Sequence, residues 1–193
     1  MSTTPNKWFA SYTKQSKPLL IKGDIGYGKT FIINELCKQH NLILIKIELH
    51  DLTPINLNIS DSFTSKKLLV IEDLNMQLII YPKALDKLKK ILKIIKKPLI
   101  ITCLNEFHSK LKPIENKCVI YKIIKKSLNA FNKILSPYKI NPQLKRFYIQ
   151  QSNGDIRNAI INCNLQCKII TQKNNNYDIF TTIKKLLNSQ IDE

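Results

Sequence analysis

At 193 residues and 44% hydrophobic content, the chain has room for one folded core, or a core with a small satellite domain, and general disorder is excluded. No apolar run approaches the length of a membrane span and residues 1–17 lack the apolar stretch of a secretory signal, so an intracellular protein with no membrane partner is expected. The net charge of +17 attracts polyanions, nucleic acid first among them, although lysine carries nearly all of it and Arg146 and Arg157 are the only arginines. Abundant isoleucine and asparagine beside that lysine suggest an AT-rich genome, which inflates lysine independently of any partner.

The first predicted element is a strand in the apolar run Leu19-Leu20-Ile21. Gly23-Asp24-Ile25-Gly26-Tyr27-Gly28-Lys29-Thr30 follows, and Phe31 to Gln39, with Leu36 inside it, continues as a helix. Leu42 to Glu48 reads as a second strand and Lys67 to Ile71 as a third, ending in Glu72 and Asp73. Pro98 to Cys103 and Cys118 to Ile123 are the fourth and fifth. Between the third and fourth, Ala84, Leu85, Leu88, Ile91, Leu92 and Ile95 recur at spacings of three and four, the apolar face of a helix.

After Ile124 the strands stop. Ser127 to Leu135, Pro142 to Gln151 and Asp155 to Lys168 read as helices; Pro142 suits a first helical turn, and Ser152-Asn153-Gly154-Asp155 supplies a stop and a new cap. Asn174-Asn175-Asn176 looks like a turn before a last helix, Ile179 to Leu187. Strands alternating with helices imply a parallel sheet covered on both sides. The predicted fold is α/β, with a five-stranded parallel sheet in residues 1–124 and a small helical domain in residues 125–193. The five cysteines (Cys37, Cys103, Cys118, Cys163, Cys167) lack zinc-ribbon or C-x-x-C spacing and read as reduced thiols, with Cys37, Cys103 and Cys118 in apolar segments.

The chemistry starts at Gly23–Thr30, which reads G-x-x-x-x-G-K-T between a strand and a helix. Its glycines let successive backbone N–H groups turn inward around phosphate oxygens, and the following helix points its positive end at the same anion. Gly23, Asp24, Ile25, Gly26, Tyr27, Gly28, Lys29 and Thr30 are therefore the expected nucleotide-binding residues. Lys29 reaches for the β- and γ-phosphates and the Thr30 hydroxyl for Mg²⁺, so ATP with Mg²⁺ is the expected cofactor. Such a loop needs acids to hold the metal and orient water. Glu72 and Asp73, at the C-terminal end of a buried strand, supply them where a parallel sheet opens to its ligand.

Four stretches together carry a family resemblance. Gly23–Thr30 is similar to a Walker A motif, Leu68–Asp73 to a Walker B motif and Pro98–Asn105 to a sensor-1 strand, while Ser152 to Ile160, containing Gly154-Asp155-Ile156-Arg157, looks like a sensor-2 helix. The chain resembles an AAA+ ATPase of the clamp-loader type, the replication factor C family, over nearly its whole length. Lys7-Trp8-Phe9, Tyr177-Asp178-Ile179-Phe180 and Lys184-Lys185-Leu186 lean toward the large subunit. The resemblance implies an ATPase that joins other AAA+ subunits and places a sliding clamp on primer–template DNA in replication or repair, in the nucleus or wherever DNA is replicated. It makes Glu72, Asp73 and Asn105 the catalytic residues, Thr30 and Glu72 the metal site, and Arg157 a γ-phosphate ligand that couples domain closure to ATP. Asn105 can orient water by donating and accepting, and a guanidinium suits a phosphate.

The sequence departs from that family at several points. Pro113-Ile114-Glu115-Asn116-Lys117-Cys118 replaces the small-subunit S-R-C motif and has no arginine; Lys117 stands at the finger position. The chain ends at Glu193, where family members continue into a helical collar, so the resemblance is to a truncated form. The acids run Glu72-Asp73 rather than Asp-Glu, which leaves the expected base one methylene short. Slow hydrolysis is expected unless a partner supplies an arginine. The lysines from Lys83 to Lys97 read equally as a DNA-tracking surface or a solvated face, and Ile55 to Phe63 as a clamp contact or an ordinary loop. His40, His50 and His108 have no ligand-like spacing. Two other classes fit the length: a small P-loop nucleotide or nucleoside kinase, disfavoured by the scarcity of arginine, and a catalytically silent ATP-binding scaffold.

Overall fold

The structure, a computed structural model, describes residues 4–52, 66–105 and 111–165. In chain order its elements are α1 (Pro5–Ala10), β1 (Leu19–Lys22), α2 (Lys29–His40), β2 (Ile43–Lys46), β3 (Lys67–Ile71), α3 (Leu74–Ile80), α4 (Ala84–Ile94), β4 (Leu99–Cys103), α5 (Lys112–Glu115), β5 (Val119–Lys122), α6 (Leu128–Ile134), α7 (Pro142–Gln151) and α8 (Ile156–Leu165). Two compact units result. Among the described residues, the first takes in those up to Lys126 together with Asp155–Arg157, and the second takes in Ser127–Gly154 and residues 158–165. The expectations for Ile55 to Phe63, His108, Cys167, Asn174 to Asn176, Ile179 to Leu187 and the large-subunit-like residues after Tyr177 fall outside the described residues.

The first unit is α/β with a five-stranded parallel sheet, ordered β2-β3-β4-β1-β5. From β1 the chain crosses to the far edge at β2, then returns through β3 and β4 and passes β1 to finish at β5. Right-handed crossovers put the outgoing helix on one face of the sheet and the returning helices on the other. Packing follows that rule. Leu19, Ile21, Leu68, Val70 and Ile100 meet Ile33, Leu36 and Cys37 of α2 and Trp8 of α1. Their alternate neighbours Leu20, Leu69, Ile71, Leu99 and Ile101 meet Leu88, Ile91 and Leu92 of α4 and Ile114 of α5. With both faces covered, the central strands read as unbroken apolar runs.

Three short helices escaped the periodicity. Helix α1 starts at Pro5 behind Thr4, whose hydroxyl accepts from the Lys7 amide, and is anchored where Trp8 Nε1 donates to the Lys17 carbonyl at 3.0 Å. Helices α3 and α5 fill the turns after β3 and β4 and are too short to show a pattern. Strand β2 is shorter than its apolar run: beyond Lys46 only the Ile47 amide still reaches β3, donating to the Val70 carbonyl at 2.8 Å.

The second unit is helical among the described residues. Ser127 caps α6 by accepting from the Ala130 amide, and Asn141 caps α7 by accepting from the Gln143 amide at 2.9 Å, with Pro142 in the first turn. Phe131, Leu135, Tyr148, Ile149, Ala159 and Cys163 form its buried interior. Asn153 and Gly154, both at positive φ, end α7.

Candidate nucleotide site

Strands β1, β4 and β3 lie side by side, and Leu20, Ile101 and Ile71 share one row. The segments after them therefore leave the sheet at the same edge: Gly23–Thr30 after β1, Asn105 after β4, and Glu72-Asp73 after β3. From β1 the outgoing connection leads to one side, toward β2, while β5 flanks the other. That reversal is where an open parallel sheet forms a crevice. The Gly23 amide donates to the Cys103 carbonyl at 3.1 Å, tying the start of the loop to the end of β4.

Within the loop, Gly26 and Gly28 take φ of 77° and 90°, values that a side chain strains. Gly28 is the N-cap of α2 and, having no side chain, leaves the first N–H groups of that helix without a side-chain cap of its own. Lys29 is buried and folds back over the loop, with Nζ donating to the Gly23 carbonyl at 2.8 Å and the Asp24 carbonyl at 3.1 Å. Burial lowers its pKa; the negative charge of Asp73 opposes this most, followed by Cys103 and Asp24, while Arg157 adds to the lowering. Thr30 is exposed, as is Arg157 in the first turn of α8.

The acidic turn is held from several sides. Asp73 adopts the left-handed conformation at φ 48°, and its amide donates to Thr102 Oγ1 at 2.9 Å. Gln77 donates to the Glu72 carbonyl at 2.7 Å while accepting from the Leu49 amide, and Asn75 accepts from the Leu104 amide at 2.9 Å. The two carboxylates have different company. Asp73 is the one whose charge acts on Lys29, whereas Glu72 Oε2 pairs with Lys46 Nζ of β2 at 2.7 Å. Glu72 Oε1 and Asn105 Oδ1 are buried without a hydrogen-bond partner.

The Asp155–Arg157 segment of the first unit adds two contacts to the loop. The Ile156 amide donates to the Gly26 carbonyl at 3.1 Å, and the buried Asp155 carboxylate fills the space that a Cβ on Gly26 would need. Lys117 is engaged elsewhere, its Nζ donating to the Lys89 carbonyl of α4 at 3.0 Å. Among the described residues, no group of three or more His, Cys, Asp or Glu is arranged to hold a metal. His40 lies against the Phe9 ring and His50 pairs with Glu48 and Asp51. Cys37, Cys103, Cys118 and Cys163 are free thiols; burial pushes Cys103 up to about 11 and Cys118 up to about 12.

Sequence reasoning missed Lys46, Thr102, Gln77, Asn75 and Asp155. The first four act through neighbours 26 to 29 residues away or through a main-chain carbonyl, and no motif marks such partners. Asp155 was visible as a helix cap, but its second neighbour, Gly26, lies far back in the chain.

No protein-family model matches the chain, and no curated protein sequence matches it. Among solved structures, it is similar to the Aeropyrum pernix Orc1 protein in complex with DNA, at 15% identity and a TM-score of 0.49. The likeness covers 75% of this chain and 52% of that one, so the chain spans about half the length of that protein.

Proposed function

We propose that this chain is an ATP-binding AAA+ subunit of clamp-loader type that works on DNA in replication or repair. One observation carries the reading: Gly23–Thr30, Glu72-Asp73 and Asn105 leave adjacent strands at one edge of the sheet. A triphosphate with Mg²⁺ suits what stands there. The helix start lacks a side-chain cap, the loop turns at Gly26 and Gly28, and two buried acceptor oxygens have no partner.

Bound there, ATP with Mg²⁺ would supply the phosphoryl group and neutralise its charge. The loop amides and Lys29 bind the phosphates. Thr30 and Glu72 would hold the metal, and Glu72 Oε1, which Lys46 does not take, is free to do so. Asp73 accepts the proton of the attacking water, and Asn105 orients that water. Arg157 answers the γ-phosphate. Lys117, bonded to the Lys89 carbonyl, lacks the planar fork of an arginine finger, and hydrolysis is slow until a partner supplies an arginine.

Two surfaces suit the proposed partners. Met76, Ile79, Ile80 and Tyr81 expose apolar side chains at the end of α3, as a contact with a clamp or another AAA+ subunit requires. Lys83, Lys87, Lys90, Lys93 and Lys96 are exposed on and around α4, where a DNA backbone can be tracked. Calorimetry with ATP and Mg²⁺, followed by DNA binding across a salt series, tests the reading. ATP binding with salt-sensitive retention of primer–template DNA is expected. Rapid phosphoryl transfer to nucleoside monophosphates would replace it with a kinase.

A further inference from the structure

Nucleotide-binding loops are usually read from the glycines and lysine within them, yet here a segment about 130 residues downstream leans on the loop from outside. The direction of that contact is decided by the peptide plane. In a trans peptide, C=O and N–H point to opposite sides. The Tyr27 amide points into the loop, reaching the Asp24 carbonyl at 3.3 Å, so the Gly26 carbonyl of the same peptide points outward. It meets the Ile156 amide there, at 3.1 Å. Next to this bond the Asp155 side chain packs on the Gly26 Cα, on the side where any Cβ would overlap its carboxylate. Asp155 is only 7% exposed, and Gly26 sits at φ 77°, a conformation that must be kept for the loop to hold its shape.

We propose that Asp155, together with the Ile156 amide, is a positioning element that braces the phosphate loop at Gly26 and sets its affinity for the phosphates common to ADP and ATP. The inference rests on the reading of Gly23–Thr30 as the nucleotide site. It assigns Asp155 a task separate from that of Arg157, two residues away in the same turn. Asp155 packs on the loop at Gly26 and, being a carboxylate, is no ligand for a phosphate, so its removal weakens ADP and ATP alike. Arg157 is a cation whose charge reaches Lys29, so its removal weakens ATP more than ADP. The brace acts by packing and by the backbone bond beside it, and Asn in place of Asp preserves that shape. It also explains why position 26 is glycine on two independent grounds, the left-handed φ and the space taken by Asp155.

The test is calorimetry of the full chain with ADP and with ATP, each with Mg²⁺, on wild type, Lys29→Ala, Asp155→Ala, Asp155→Asn, Gly26→Ala and the double variant Gly26→Ala/Asp155→Ala. Circular dichroism checks that each variant is folded. Asp155→Ala is expected to lose about tenfold in affinity for both nucleotides, and Asp155→Asn to stay within about threefold of wild type. Gly26→Ala is expected to cost less in the Asp155→Ala background than alone, because the overlap is gone while the φ strain remains. Wild-type affinity in Asp155→Ala, a loss confined to ATP, or equal costs of Gly26→Ala in both backgrounds would overturn the brace. A tenfold loss in Asp155→Asn, which keeps the packing, would overturn it even if Asp155→Ala failed to fold. Absence of nucleotide binding by wild type, or its persistence in Lys29→Ala, would instead remove the reading on which the brace rests.

Discussion

The loop after β1 and the turn after β3 leave neighbouring parts of one sheet edge, yet they are built in opposite ways. In Gly23–Thr30 the geometry is set by main chain: Gly26 and Gly28 supply the left-handed conformations without strain, and Lys29 folds back onto carbonyls of its own loop. At Glu72-Asp73 the chemistry is side chain, and a non-glycine residue occupies the left-handed region. That turn is held from outside by Thr102, Gln77 and Asn75, and its first acid by Lys46 on β2. A site can therefore pair a loop shaped mainly by its own main chain, and braced from outside at Gly26, with a turn whose side chains are held by three other elements. Away from Gly26, substitutions in the first should act locally, and those in the second through tertiary neighbours.

The largest effect is expected in the loop after β1. Lys29→Ala removes the buried cation of the loop and is expected to weaken ATP binding by about a hundredfold or more, measured by calorimetry. Binding at wild-type strength would break the comparison, since the loop would then not be the nucleotide site.

Asp73→Asn sharpens the contrast on the other side. It is expected to leave ATP binding within about threefold while lowering partner-stimulated turnover by about a hundredfold. Lys117→Ala, whose ammonium bonds the Lys89 carbonyl, should lower turnover less than Asp73→Asn does. A phosphate-release assay with an arginine-donating AAA+ partner reads both. Equal losses in the two variants would mean that Asp73 has no special place at the reacting water.

Stability measurements probe the geometry of the turn after β3 itself. With φ at 48°, Asp73→Gly is expected to raise unfolding free energy by about 0.5–1 kcal/mol, and the β-branched Asp73→Val to lower it by about 1–2 kcal/mol. Urea titrations of the two variants check the signs; the same sign for both would show that the conformation is not strained.

The smallest expected effect is at the ion pair. Lys46 is more than half exposed, so Lys46→Ala should change stability by no more than about 0.5 kcal/mol. Its consequence should appear instead in the Mg²⁺ concentration needed for ATP binding, because Glu72 loses the cation that holds Oε2. An unchanged Mg²⁺ dependence would assign Lys46 to the surface alone.

Much of the sheet and of the Gly23–Thr30 loop is legible in the order of residues alone. The sequence by itself determined the central strands β1, β3 and β4, because they are covered on both faces and so must be apolar throughout. It also determined the loop, because positive φ at Gly26 and Gly28 restricts residue type at those very positions, and the starts of α6 and α7, where Ser127 and Asn141 cap the amides just after them. Such features depend on neighbours within a few residues, and a linear pattern records them. Only the tertiary structure decided that β4 lies between β1 and β3, which brings Asn105 between the loop and the acids. It alone separated the two acids, turning Glu72 to Lys46 while the charge of Asp73 reaches Lys29, and set Asp155 against Gly26. Those pairings join positions far apart in the chain through packing and charge, and their partners bear no mark in the sequence until the sheet brings them together.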